Sequence, residues 1–173
     1  MYEPGESDFA EARQWVADLI RLDTTNPPGN ERPAIDYVAD ILRREGMEVT
    51  ILESAPGRAN LVARLKGDGS EAPLMLSSHL DVVPASAEGW THPPFSGIEA
   101  DGCIWGRGAI DMKGFAVMAL AVFRQIRRSG TRLKRDLIFT AVCDEEAGCE
   151  AGSAWMVDNH PELVTAEYVI NEV

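Results

Sequence analysis

Residues of metal-binding types follow the ends of apolar segments at three places in the sequence. They are His79 and Asp81 after residues 74–76, Glu145 and Glu146 after residues 137–143, and Glu172 after residues 168–170. A further carboxylate, Asp111, lies in a glycine-rich loop just before a predicted helix. Because the carboxyl ends of strands in an open α/β sheet form the usual ligand-binding edge, we expect these side chains to converge there.

Such a convergence has a chemical consequence. The carboxylates of Asp111, Glu145, Glu146 and Glu172 would repel one another, and at least one of them would remain protonated unless a cation were bound. One imidazole with several carboxylates and no thiolate suits zinc in an open hydrolytic site, with cobalt or manganese as substitutes. A bridging carboxylate suits two metal ions roughly 3.5–4 Å apart.

Each residue taken alone has a simpler interpretation. His79 fits a hydrogen-bonded, half-buried histidine, and Asp111 fits a helix N-cap. Glu145 and Glu146 fit a solvated acidic turn, while Asp81 fits the start of a loop. Two other classes therefore remain open: a non-catalytic metal-binding or interaction module, and a structural α/β domain without metal. The acid at position 145, for which such a module has no use, favours an enzyme.

Composition excludes several partners. The 173 residues carry a formal net charge of −12, which argues against nucleic acid as a partner. No uninterrupted apolar stretch is long enough for a membrane span. The polar, acidic start at residues 1–6 lacks the pattern of a secretory signal, so we expect a cytoplasmic protein. The three cysteines, Cys103, Cys143 and Cys149, form no CxxC pair and predict no disulfide framework.

The hydrophobic period changes repeatedly between that of helices and that of strands. Helices are predicted at 7–22, 31–45, 115–129 and 152–159, with Ser7 capping the first and Gly46 and Gly130 ending the second and third. Phe9, Met118 and Val122 are expected on buried helix faces. Strands are predicted at 47–52, 60–65, 74–76, 137–143 and 168–170, with a hairpin at 98–105 that turns at 101–102. The alternation predicts a three-layer α/β/α domain with a mainly parallel or mixed central sheet.

Several of these segments resemble the M20 family of metallopeptidases. Ser77–Pro84 resembles its His-x-Asp-Val-Val-Pro segment, and Gly106–Gly114 resembles its Gly-Arg-Gly-x-x-Asp-Met-Lys-Gly segment. Trp90 with Pro93–Phe95, Asp144–Gly148 and Asn171–Glu172 resemble three further segments, in the family's order. The resemblance implies a zinc-peptidase-like catalytic domain and an amide-cleaving hydrolase.

The resemblance also implies the role of each metal ligand. Asp111 is expected to bridge two zinc ions, and the peptide bond after it is expected to be cis. His79 and Glu172 are expected to complete one metal site, and Glu146 is expected to bind the other metal ion. Asp81 is expected to hold His79 through its second ring nitrogen. Glu145 is expected to act as the general base for an attacking water.

Members of the family are about twice as long as this chain. They carry an inserted lid domain, which is usually used for dimerisation, and a second metal-binding histidine near the C-terminus. Neither His92 nor His160 lies where that ligand belongs. We therefore expect residues 1–173 to be the N-terminal part of a catalytic domain, in a truncated and poorly active form that dimerises only with the lid. The expected substrates are N-acyl amino acids or short peptides.

Overall fold

The structure, a computed structural model, describes residues 4–172, so that part of the predicted polar start (residues 1–3) and Val173 lie outside the described residues. Its strands are β1 (Val49–Ala55), β2 (Arg58–Leu65), β3 (Leu74–His79), β4 (Ile98–Ala100), β5 (Cys103–Trp105), β6 (Leu137–Val142) and β7 (Tyr168–Ile170). Its helices are α1 (Glu6–Arg21), α2 (Arg32–Arg44), α3 (Lys113–Ser129), α4 (Ser153–Asn159) and α5 (Pro161–Val164).

The five main strands form one mixed sheet in the order β1-β2-β6-β3-β7. β1, β2 and β6 pair antiparallel, whereas β3 lies parallel to both β6 and β7. The predicted mixed sheet is therefore confirmed. β4 and β5 form a separate hairpin, and its tight turn falls at the predicted Asp101–Gly102.

Helices cover both faces of this sheet, which confirms the three-layer architecture. Along β6, Phe139 packs into the larger core with α1, α2 and α3, while the adjacent Ile138 packs with Met156 of α4 on the opposite face. The two directions follow from the two-residue period of a strand. β6 is buried at every position because it is covered on both faces.

The helix ends agree only partly with the sequence predictions. Gly46 and Gly130 end α2 and α3 in the left-handed conformation, with φ of 69° and 62°, as expected for C-terminal glycines. The predicted Ser7 cap is wrong, since the N-cap is Gly5. The backbone N–H of Gly5 donates to Oδ2 of Asp8 at 2.9 Å, so the acid at the third helical position accepts from the N-cap backbone, as the N3 residue of a capping box does.

Three apolar side chains that we expected to be buried are exposed. Phe9, Met118 and Val122 have exposed fractions of 53%, 62% and 47%. They line an open groove between α1 and α3. The apolar periodicity of these helices is real, but α1 and α3 cover only part of each other's apolar face.

The pairing of β3 with its neighbours sets the position of the site. His79, the last residue of β3, lies opposite Val142 at the end of β6. Leu76 lies opposite Ile170 at the end of β7. Because the three strands are parallel, the residues that follow them leave the sheet at one edge. Within residues 4–172, no helix combines the length and apolar character needed to cross a membrane.

Candidate metal centre

His79 lies at the centre of a cluster of carboxylates at this edge. Its Nε2 is 3.0 Å from Oε1 of Glu172, 3.1 Å from Oδ1 of Asp111 and 3.7 Å from Oε2 of Glu145. The imidazole is almost fully buried, whereas the Asp111 side chain is 61% exposed. One face of the cluster is thus fixed in the protein and the other is open to solvent.

Potential ligand atoms lie together in two overlapping groups. His79, Asp111 and Glu146 form one group, and His79, Glu145 and Glu172 form the other, with the atoms of each group within 4.8 Å of one another. All of the carboxylates predicted from the sequence are therefore brought to His79. They come from the ends of β6 and β7 and from the loop before α3, while His79 itself ends β3.

The Nδ1 side of His79 is occupied by Asp81. Nδ1 lies 3.0 Å from the backbone oxygen of Asp81 and 3.3 Å from its Oδ1. Both atoms are acceptors, so the proton of a neutral ring belongs on Nδ1. This leaves the lone pair on Nε2, which faces the carboxylate cluster, as in metal-binding histidines held by a carboxylate.

The electrostatics of the cluster are those of a cation site. Burial opposes the charged form of His79, but Asp81, Glu172 and Glu145 outweigh it and raise its pKa to about 9. Burial also raises the pKa of Glu146, and the carboxylate of Asp111 adds to this effect. The pKa of Glu172 is raised by burial and by Asp111 and Glu145. A divalent cation would relieve this repulsion, and the donors present, one imidazole nitrogen and carboxylate oxygens, are types that can hold zinc.

Asp81 is itself held by several donors. Its Oδ2 accepts from Nδ2 of Asn26 at 2.8 Å and from the backbone N–H of Glu146 at 3.1 Å, while its Oδ1 accepts from the N–H of Glu145 at 3.1 Å. Burial favours the neutral acid, but the hydrogen bonds from His79 and Asn26 keep the pKa of Asp81 below its usual range. One buried carboxylate therefore positions both His79 and the turn that carries Glu145 and Glu146.

A second polar network supports that turn from behind. Asp144, in the left-handed conformation with φ of 67°, accepts from Arg58 at 2.7 Å, from Asn26 at 3.1 Å and from the N–H of Ala151 at 2.8 Å. Arg58 also pairs with the fully buried Glu31 at 2.9 Å. The conformation that turns the chain from β6 into the 3-10 turn Glu145–Ala147 is thus fixed by charged contacts.

The loop that carries Asp111 is anchored at its far end. Lys113, the first residue of α3, is fully buried, and its Nζ donates to the carbonyl oxygens of Leu19 and Leu22 at 2.9 and 2.8 Å. Gly114 packs so closely that a Cβ there would lie 2.2 Å from the carbonyl oxygen of Ala109. The peptide bond between Asp111 and Met112 is cis, as the family resemblance implied.

Sequence reasoning missed the supporting residues Asn26, Arg58 and Glu31. Asn26 lies in a segment that its composition marked only as a loop, and Arg58 and Glu31 begin a strand and a helix. Their contacts join residues far apart in the chain, such as Asn26 with Asp144. Only the two consecutive prolines after Asn26 mark this loop as constrained, because each proline ring fixes the φ angle at its position.

The three-layer α/β fold thus places an imidazole and four carboxylates at one edge of its sheet, as a candidate site for a divalent metal ion. Comparison with known families identifies the family to which this fold and cluster belong. The family model described as Peptidase family M20/M25/M40 matches residues 75–172, which include all of the candidate ligands. The chain belongs to this family.

Curated relatives agree with this assignment. The chain is 37% identical over 153 residues to succinyl-diaminopimelate desuccinylase of Methylobacterium radiotolerans, a match that covers 85% of this chain and 38% of the relative. It is 34% identical to aminoacylase-1 of Sus scrofa, with 83% of this chain and 36% of the relative covered. The chain thus spans little more than a third of the length of these relatives.

Solved structures share the fold. Human carnosine dipeptidase 1 superposes with a TM-score of 0.72 and 27% identity, over 96% of this chain and 38% of that protein. An M20 family metallo-carboxypeptidase from Sulfolobus solfataricus superposes with a TM-score of 0.81 over 94% of this chain and 37% of that protein. Its sequence identity of 21% supports the fold alone.

Proposed function

We propose that this chain is the metal-binding part of a zinc-dependent hydrolase that cleaves the amide bond of an N-acyl amino acid or short peptide. The observation that carries the proposal is the convergence of four carboxylates on Nε2 of the buried His79. The names of the relatives, a desuccinylase and an aminoacylase, support an acylated amino acid as substrate.

Each candidate ligand has a proposed place. Asp111, which faces His79 and Glu146, would bridge two ions, His79 and Glu172 would complete one site, and Glu146 would contribute to the other. Zinc, with cobalt or manganese as substitutes, would make a water acidic enough to ionise near neutral pH and would polarise the amide carbonyl. Asp81 would keep Nε2 of His79 directed at the cation through the contacts at Nδ1.

Glu145 is the proposed general base. It lies at the open side of the cluster, where it is 43% exposed. A carboxylate in this position can take the proton of the attacking water and return it to the amine that leaves. Its backbone N–H is held by Asp81, which fixes the start of the side chain without burying the carboxylate.

We further propose that full activity needs residues beyond this segment. The chain spans 38% of the desuccinylase and 36% of the aminoacylase. A second histidine ligand and a lid domain able to dimerise would come from the remainder of a longer protein. The 173-residue chain alone is expected to turn over well below about 1 s⁻¹, a modest value for an enzyme.

The decisive experiment measures zinc by elemental analysis after dialysis against metal-free buffer. We expect about one or two zinc ions per chain. The His79→Ala, Asp111→Ala double variant should lose them. The matched control is His160→Ala, Asp158→Ala, which removes the same residue types at the end of α4 and should keep the zinc.

Circular dichroism on the same samples establishes that each chain is folded. A folded wild-type chain that binds no zinc, or equal zinc in both double variants, contradicts the proposed metal centre. Hydrolysis of a panel of N-acetyl and N-succinyl amino acids by the zinc-loaded chain then tests the expected low turnover. A rate near 1 s⁻¹ would show that this segment needs no further residues.

A further inference from the structure

A cavity of about 420 Å³ opens beside the candidate metal ligand Asp111. Its other walls include Trp90, Ile104, Trp105 and Arg107. Most of this surface is apolar, and the volume is in the range of small-molecule sites. Asp111 belongs both to the cavity wall and to the ligand cluster, so the cavity and the candidate metal centre are adjacent.

The indole walls are held in place by the surrounding structure. Trp105 donates from Nε1 to the carbonyl oxygen of Ala100 at 3.1 Å, and the ring of His92 packs edge-on against it with centroids 5.2 Å apart. The guanidinium of Arg107 lies 5.4 Å from the centre of the Trp90 ring. The cavity therefore has an apolar wall and one cation with a defined position.

Arg107 has no acidic partner, which is unusual in a chain with a net charge of −12. Its Nε is buried without a hydrogen-bond partner. The ion pairs that arginines form among residues 4–172 do not include one of Arg107. Two other arginines in this range, Arg44 and Arg127, also lack a carboxylate partner, but both are exposed to water. Among the arginines of the described range, only Arg107 is half-buried without a carboxylate partner.

A half-buried guanidinium without an anion is a poorly satisfied group. Stacking on Trp90 compensates part of its lost hydration, but it leaves the N–H of Nε without an acceptor. The planar fork of arginine matches a carboxylate, with which it forms charge-assisted hydrogen bonds. Nε itself is shielded, but Arg107 lines the cavity, so a ligand carboxylate there could pair with the rest of its guanidinium.

We propose that this cavity binds a carboxylate-bearing apolar part of the substrate, with the carboxylate on Arg107 and the hydrocarbon against Trp90, Ile104 and Trp105. The proposal rests on the proposed function, because it identifies the bound group as part of an amide substrate whose scissile bond lies at the Asp111 side. It assigns specificity for anionic substrates to a residue within this chain.

The test compares two small probes that differ in charge: phenylacetate, and its uncharged analogue phenylacetamide. Both are titrated into the full 173-residue chain, with zinc and with a chelator, and binding is followed by tryptophan fluorescence. We expect phenylacetate to bind at least about tenfold more tightly in both conditions. Trp90→Phe should remove much of the signal, because Trp90 lies beside Arg107.

Arg107→Gln should abolish the preference, so that the two probes bind equally. Arg127→Gln is the matched control, because it removes the same charge from an exposed position on α3. It should leave the preference unchanged. Arg107→Lys keeps the charge but loses the planar fork, and it should keep part of the preference.

Equal binding of the two probes to the wild-type chain overturns the proposal, and this comparison needs no variant to fold. A preference that appears only with zinc and survives Arg107→Gln also overturns it, because the carboxylate then binds the metal. Failure of the zinc-binding experiment leaves the chelator titration interpretable, so the two proposals fail separately.

Discussion

The side-chain amide of Asn26 donates to Oδ2 of Asp81 at 2.8 Å inside the protein. Its Nδ2 also donates to Oδ1 of Asp144 at 3.1 Å. One amide group therefore donates to two neighbouring carboxylates, whose negative charges would repel each other without such donors. These carboxylates belong to the ends of β3 and β6. Asn26 thus joins the two segments that follow these strand ends, next to His79 and Glu145.

Asn26→Asp should weaken zinc binding about 10- to 100-fold, as is typical when a partner of a metal ligand is changed. The substitution keeps the shape of the side chain but replaces the donor with a third carboxylate. The measurement is competition for zinc against a chromophoric chelator.

Asn159→Asp is the control for this change, because it adds the same charge at an exposed site at the end of α4, where the side chain donates to the carbonyl of Trp155. It should leave zinc affinity within about threefold. Equal zinc affinity in the two variants would show that Asn26 does not help to position the metal ligands.

The variants Glu146→Gln and Glu145→Gln should distinguish the proposed metal ligand, Glu146, from the proposed general base, Glu145. Glu146→Gln should lower zinc affinity by more than tenfold, because a neutral amide is a weaker ligand than a carboxylate. Glu145→Gln should change it by less than about threefold, because its proposed role is proton transfer. Competition titrations of both variants report the difference, and the reverse order would exchange the two roles.

Gly114→Ala should displace the loop that carries Asp111. The new Cβ would lie 2.2 Å from the carbonyl oxygen of Ala109, which is a backbone atom and cannot rotate away. Overpacking of this kind costs about 1–3 kcal/mol of unfolding free energy, and zinc affinity should fall with it.

Urea denaturation and the chelator titration measure the two effects of this change. Gly5→Ala is the control, since its nearest neighbour, Oγ of Ser7, would be 4.0 Å from the new Cβ. It should cost about 1 kcal/mol or less and leave zinc binding intact. A Gly114→Ala chain with wild-type stability and affinity would show that this close approach is readily relaxed.

Asp136 should make stability depend on pH in acid. Burial favours its neutral form, but hydrogen bonds from the Gly67 N–H, Lys66 and Arg64 outweigh this and lower its pKa to about 2. A carboxyl group whose folded pKa is depressed stabilises the fold fully above its unfolded pKa, about 3.9, and loses that effect as the pH falls through its folded value.

Asp136→Asn should therefore cost about 1–2 kcal/mol at pH 7, and the difference from wild type should shrink between pH 4 and pH 2. Urea denaturation at several pH values measures this. Asp40→Asn, which removes an exposed carboxylate 3.5 Å from Arg43, should change stability by less than about 1 kcal/mol at any pH. A constant difference for Asp136→Asn across this range would contradict the assignment.

The sequence alone determined the three-layer fold and the residues at the edge of the sheet. Strand and helix periods are local properties, and a residue that directly follows an apolar strand must lie near the end of that strand. For this reason His79, Glu145, Glu146 and Glu172 could be predicted to meet, whereas Asp111, in a loop before a helix, was placed with them by its residue type and its position at a helix start. The helix ends at Gly46 and Gly130 could also be predicted, because glycine adopts the left-handed conformation of a helix end without steric cost.

Tertiary structure decided what surrounds those residues. Asn26 and Asp144 meet across 118 positions, and no pattern in either segment encodes that contact. The exposure of Phe9 and Met118 was decided in the same way, because periodicity defines an apolar face but not what covers it. Local spacing thus specified which side chains could bind a metal ion. Long-range packing determined which groups orient them, and it left Arg107 beside Trp90 without a carboxylate partner among residues 4–172.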